Sequence, residues 1–129
     1  MLLADDHAVT RQGIRQLLGL EPDIQVVGEA ADGEAAVEMA GRLLPDVILM
    51  DSSMPKLDGV EATRVIRRNH PDIRVIGLSM FEEAERAQAM REAGAADYLS
   101  KSGRSADLIA AVLSCVGRQA EGPEVPRQS

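Results

Sequence analysis

An α/β architecture, with a doubly wound parallel sheet and helices on both faces, is written into this chain. Short apolar runs alternate with amphipathic stretches from end to end. Several runs are rich in Val, Ile and Leu with no polar alternation, as in strands buried on both faces. Strand and helix taking turns in this way argue for βα units rather than for hairpins.

The first run is Met1–Ala4, short enough to read as a trimmed start. Val9, Ile14, Leu17 and Leu18 then share a helical face, with Asp6 as the expected N-cap. Ile24–Ala30 is the second strand, and Ala36, Met39, Ala40 and Leu43 repeat the helical period after Asp32. Val47–Met50 is the third strand. Val60, Thr63 and Ile66 follow Gly59, with Ala62 and Val65 widening the stripe. Arg74–Met80 comes fourth, and Ala87, Met90 and Ala93 lead to a helix stop at Gly94. Tyr98–Ser100 closes the set. Leu108, Ile109, Val112, Leu113 and Val116 form the last helix behind Ser105 as its cap. From Arg118 the chain reads RQAEGPEVPRQS, polar and without apolar period. The expected division is therefore one domain over 1–117 and a flexible tail or interdomain linker over 118–129.

Composition removes several classes. The 129 residues carry 14 Lys and Arg against 21 Asp and Glu, a net charge of −7. A phosphate-backbone binder needs the opposite sign, and at 2% aromatics there is no base-stacking platform. No nucleic acid is expected to bind through this chain. A single cysteine, Cys115, forms no internal disulfide and reads as packing. No apolar run approaches the roughly 20 residues that span a bilayer, and no basic-then-apolar leader opens the chain. The expectation is a cytoplasmic protein without a membrane partner.

The chemistry collects where each strand ends, as the crevice of a doubly wound sheet requires. Asp5 and Asp6 follow the first run, Asp51 the third, Ser79 lies near the end of the fourth, and Lys101 follows the fifth. Three clustered carboxylates repel one another unless a cation joins them, and hard oxygen ligands at an open site suit Mg2+. A carboxylate beside such an ion is a competent nucleophile toward phosphorus. A hydroxyl and an ammonium would meet the charge of the transferred phosphoryl group. Taken singly, Asp5 and Asp6 read equally well as N-caps, Lys101 as a solvated charge, Ser79 as a partner of its own backbone, and Asp51 as a loop residue. Their convergence at the ends of four strands favours the site.

The strings LLADDH, VILMDSSMPKLDG, GLSM and AADYLSKSG resemble the receiver domain of two-component response regulators, most closely the NarL/FixJ (LuxR-type) subfamily. The resemblance runs from Met1 to about Gly117. It implies a flavodoxin-like (βα)5 fold with strand order 2-1-3-4-5. It further implies that Asp51 accepts a phosphoryl group from a sensor histidine kinase, with Asp5, Asp6, Asp51 and the backbone carbonyl of Ser53 holding Mg2+. By position Ser79 matches the switch hydroxyl, Lys101 the active-site lysine and Tyr98 the switch aromatic. Tyr98 is then expected to turn inward as Ser79 moves toward the phosphoryl group. Pro55 and Gly59 match the turn after the acceptor. Ser53 and Phe81 match the two positions that flank the attacking water, and a bulky, apolar Phe81 implies slow self-dephosphorylation. Two departures stand out. Ser102 follows Lys101 where many receivers have proline, so the geometry of that peptide bond stays open. No helix-turn-helix segment follows Arg118, so DNA would be met only through a domain absent here. Whether the chain is an excised receiver or a single-domain regulator, and whether it forms a homodimer on phosphorylation, stay open as well.

Rival readings are a non-phosphorylated interaction domain and, less favoured, an aspartyl-nucleophile phosphohydrolase. The latter wants an acid two residues after its nucleophile, where Ser53 stands. Gly28 and Gly33 lack the following Lys-Ser/Thr of a P-loop. His7 is read as a solvent-facing helix start rather than a metal ligand, and His70 as a loop residue.

Overall fold

The computed structural model describes residues 1–79, 84–101 and 103–121, with backbone alone over 117–121. Ten elements alternate strictly. They are β1 (Leu2–Ala4), α1 (Ala8–Leu18), β2 (Gly28–Ala30), α2 (Gly33–Leu43), β3 (Val47–Asp51), α3 (Gly59–Asn69), β4 (Arg74–Ser79), α4 (Ala84–Ala93), β5 (Asp97–Ser100) and α5 (Ser105–Glu121). The five strands are all parallel in the order β2-β1-β3-β4-β5. The doubly wound sheet and the expected order are both present.

Strand alternation divides the core into two layers. Leu2, Ala4, Ile48, Met50 and Val75 face Ala36 and Ala40 of α2, Val60 and Ile66 of α3, and Met90 and Ala93 of α4. Leu3, Val47, Leu49, Ile76 and Leu78 face Leu18 of α1 and Val112 and Cys115 of α5. Every residue of β1 and β3 is buried, which explains their uninterrupted apolar sequence. Cys115 is buried in this second layer, as its packing role requires.

Helix ends follow from local chemistry. Asp32 caps α2 by accepting the Ala35 N–H at 2.8 Å. Asp58 does the same for α3 through Glu61 N–H at 3.1 Å. Gly94 adopts φ +114 and ends α4 in a conformation that favours glycine.

Four expectations need correction. Asp6 does not cap α1; the N-cap position is His7, which makes no side-chain cap bond. Val9 is 82% exposed although Leu18 is fully buried. At about 100° per residue the two lie on opposite sides of the helix, so they never shared a face. β2 is confined to Gly28–Ala30, in register with Leu2–Ala4, and before it Gln25 and Val27 bond to the backbone of Met1. Ser105 is the first residue of α5 rather than its cap, and the Arg104 carbonyl accepts the first helical N–H groups. The helix α5 runs on to Glu121. Met80, Phe81, Ser102 and residues 122–129 lie outside the described residues. Among the described residues no helix is long and apolar enough to cross a membrane.

Candidate phosphoacceptor site

Parallel pairing delivers the polar residues to one edge of the sheet. Asp5 directly follows β1, Asp51 ends β3, Ser79 ends β4 and Lys101 follows β5. Backbone bonds fix this rim: Asp5 N–H to Ala30 O at 3.0 Å, Ser52 N–H to Leu78 O at 3.0 Å, and Lys101 N–H to Ser79 O at 2.6 Å. Asp5, Asp51 and Ser79 are each buried. Polar side chains buried at this density have a stability cost, so their presence speaks for function.

Lys101 holds the centre. Its side chain is 6% exposed, and its Nζ lies 2.7 Å from Asp5 Oδ2 and 3.1 Å from Asp51 Oδ2. Burial alone would lower the ammonium, but contact with Asp5 and the charges of Asp51 and Asp5 outweigh it and hold Lys101 above its ordinary value. For Asp51 burial wins: its carboxyl is raised, with Asp5 adding to the effect and the Ser53 N–H and Lys101 opposing it. The Ser53 N–H donates to Asp51 Oδ1 at 3.1 Å, so each oxygen of Asp51 has one donor.

On the other side of Asp5, the His7 N–H donates to Oδ1 at 2.8 Å. The His7 ring sits with Nδ1 3.0 Å from Asp6 Oδ1 and 3.3 Å from Asp5 Oδ1. His7 is half in solvent, as read, but its ring is turned to the acidic pair. Ligand atoms of Asp5, Asp6, His7 and Asp51 all lie within 4.8 Å of one another. Three carboxylates in mutual reach form a donor set that fits a hard cation.

The acceptor loop is packed tightly. A Cβ on Gly59 would stand 1.9 Å from the Asp51 carbonyl, so glycine is needed there for a close approach of α3. Tyr98, opposite Gly77 in register, is half-buried and donates its hydroxyl to Ser52 Oγ at 3.3 Å. A Cβ on Gly77 would come within 2.6 Å of the Tyr98 ring and 2.8 Å of Met90 Cε. The pocket for this ring is thus made by Gly77, a residue with no chemical signal of its own. Two further contacts also lie beyond sequence reading. Ser52 is the hydroxyl partner of Tyr98, and Arg86 of α4 reaches the Ser52 carbonyl and the Ser53 hydroxyl. Neither carries a local signal, because each depends on how separate elements pack.

Residues 1–113 match the response regulator receiver domain family. The chain is 39% identical over 129 residues to the response regulator GacA of Pseudomonas viridiflava, covering 99% of this chain and 60% of that protein. It therefore spans less than two-thirds of this curated relative. Among solved structures it is similar to the signal receiver domain of the putative response regulator NarL from Mycobacterium tuberculosis, with a TM-score of 0.85 and 35% identity, covering 90% of this chain and 94% of that one. A chain of the CheX–CheY complex with BeF3 and Mg2+ from Borrelia burgdorferi matches with a TM-score of 0.81 and 28% identity, covering 88% of this chain and 85% of that one. The sheet order, the acidic rim around Lys101 and these likenesses agree: the chain belongs to the receiver domain family of two-component response regulators, on its NarL-like branch.

Proposed function

We propose that Asp51 accepts a phosphoryl group from a sensor histidine kinase. In that transfer an Asp51 oxygen forms a bond to phosphorus while the phosphorus–nitrogen bond of the kinase phosphohistidine breaks. The single observation that carries the reading is the buried lysine shared by two carboxylates, 2.7 Å from Asp5 and 3.1 Å from Asp51. Such an arrangement serves stability poorly and suits the handling of an incoming anion. Asp5, Asp6, Asp51 and the Ser53 carbonyl would hold Mg2+, which supplies charge neutralisation at the phosphoryl oxygens when bound. The similarity to a chain from a complex holding BeF3 and Mg2+ supports this choice of cation.

Lys101 keeps its proton throughout, since its neighbours hold it above its ordinary value. Ser79, buried at the end of β4, is the hydroxyl we assign to the phosphoryl group, and Tyr98 is the aromatic that reports its movement to the β4–α4–β5 surface. The output would be transcription through a DNA-binding domain beyond residues 1–117, with 118–129 as connection and homodimerisation as a consequence of phosphorylation. We assign the chain no turnover of its own beyond gaining and losing phosphate. A phosphohydrolase reading has little support, because Ser53 offers no carboxyl acid and its hydroxyl is engaged by Arg86.

Incubation with phosphoramidate and Mg2+, read by intact mass, tests this. Uptake of one phosphoryl group by wild type, lost on chelation and absent in Asp51→Asn, is expected. Equal uptake by Asp51→Asn would overturn it.

A further inference from the structure

The two residues that follow Asp51 are held by a helix well away from them in sequence. Arg86, in the first part of α4, sends its guanidinium across to this dipeptide. Its Nη2 donates to the Ser52 carbonyl and, at 3.1 Å, to the Ser53 hydroxyl, and lies 4.0 Å from Asp58 Oδ2. The Arg86 side chain is 30% exposed. An exposed Arg–Asp pair at that separation contributes little to stability, so the contact with Asp58 does not explain the reach.

What the guanidinium touches is the backbone that sets the acceptor. Ser53 N–H donates to Asp51 Oδ1 at 3.1 Å, and the Ser52 carbonyl also accepts the Gly59 N–H at 3.2 Å. Ser53 is small, and the bulk beside its hydroxyl is the Arg86 guanidinium. We propose that Arg86 is a positioning residue that slows loss of the phosphoryl group by fixing Ser52–Ser53 and filling the space beside the acceptor. This rests on the phosphoacceptor reading of Asp51. In hydrolysis a water oxygen attacks phosphorus and the bond from phosphorus to the Asp51 oxygen breaks. Asp51 returns to a carboxylate, and inorganic phosphate and one proton leave. An arginine stays protonated and cannot take that proton, so Arg86 is no general base for the water. With Nη2 committed to the Ser52 carbonyl and the Ser53 hydroxyl, it orders the loop and excludes water instead.

The test uses the full chain, charged with phosphoramidate and Mg2+, then freed of donor and followed by intact mass. Arg86→Ala should take up phosphate and lose it about tenfold faster than wild type, the scale of a modest misplacement near a reacting centre. Arg86→Lys should restore part of the lifetime, because the ammonium keeps the charge and the donors but lacks the planar bulk of the guanidinium. Thermal unfolding of both variants should match wild type, which separates loop positioning from general loosening. Arg86→Gln serves as the second variant if alanine unfolds the chain. Decay of charged Arg86→Ala at the wild-type rate overturns this inference alone, and slower decay overturns it in favour of direct charge stabilisation. No uptake by wild type overturns the phosphoacceptor reading and this inference with it.

Discussion

Replacing Asp51 by asparagine should make the protein more stable while abolishing its proposed chemistry. Asp51 is 4% exposed and shares one lysine with Asp5. At an effective dielectric of about 20, the Lys101 contact at 3.1 Å is worth roughly 5 kcal/mol of attraction. The ligand atoms of Asp5 and Asp6 lie within 4.8 Å of that of Asp51, and at this limit each repels it by roughly 3 kcal/mol, less for the more exposed Asp6. Attraction and repulsion nearly cancel, leaving the desolvation of the carboxylate unopposed. The amide keeps an oxygen for the Ser53 N–H, and Lys101 keeps Asp5, so removing the charge should gain about 2 kcal/mol. For a chain of this size that is a rise in Tm of roughly 6–10 °C.

The pH dependence fixes the sign independently. Burial, more than any other cause, lifts the Asp51 carboxyl above the ordinary 3.8. The native state therefore holds this proton more tightly than the unfolded chain does. Stability falls as pH rises from 3.8 through the raised value, and the loss is complete above it. The advantage of Asp51→Asn should thus be full at neutral pH and shrink toward acid. Urea unfolding followed by circular dichroism across that range measures it. A variant no more stable than wild type at neutral pH, or an advantage that grows toward acid, would refute the charge-crowding argument.

Two further outcomes follow from the same geometry. Asp6→Ala should weaken Mg2+ binding, measured by calorimetry, while stability holds or rises, since one of several crowded anions is gone; a collapse in Tm would make the acidic pair structural. Gly77→Val should cost about 1–3 kcal/mol and push the Tyr98 ring off β4, because a Cβ there meets the ring at 2.6 Å. With one Tyr and no Trp in the chain, intrinsic fluorescence reports on Tyr98 alone, and an unchanged spectrum in a folded variant would contradict the packing.

The fold was legible wherever a local pattern dictates structure. The apolar run of β3 ending in Asp51 announces a buried strand in a few consecutive residues. The strand-end rule then brings Asp5, Asp51, Ser79 and Lys101 together without any tertiary calculation. What failed was also local reading pushed too far. Val9 and Leu18 share apolar character, but the helical angle between them is nearly a half-turn. Asp6 resembles a cap by residue type, but Asp5 takes the His7 N–H instead. β2 looks long in composition, yet only Gly28–Ala30 pairs in register with β1. Arg86 and Gly77 left no trace in the sequence. Their roles exist only once α4 lies over the acceptor loop and β5 lies beside β4.

The central claim is that one particular carboxylate, the buried oxygen pair at the end of β3, receives phosphate. Borohydride reduction after phosphodonor treatment tests it most directly, because an aspartyl phosphate is an acyl phosphate and is reduced to homoserine, while free carboxylates are untouched. Peptide mass mapping should find homoserine at position 51 and at no other aspartate, only in samples that contained Mg2+. Homoserine at position 5 or 6, or phosphate retained on a residue that borohydride leaves unchanged, would contradict the account.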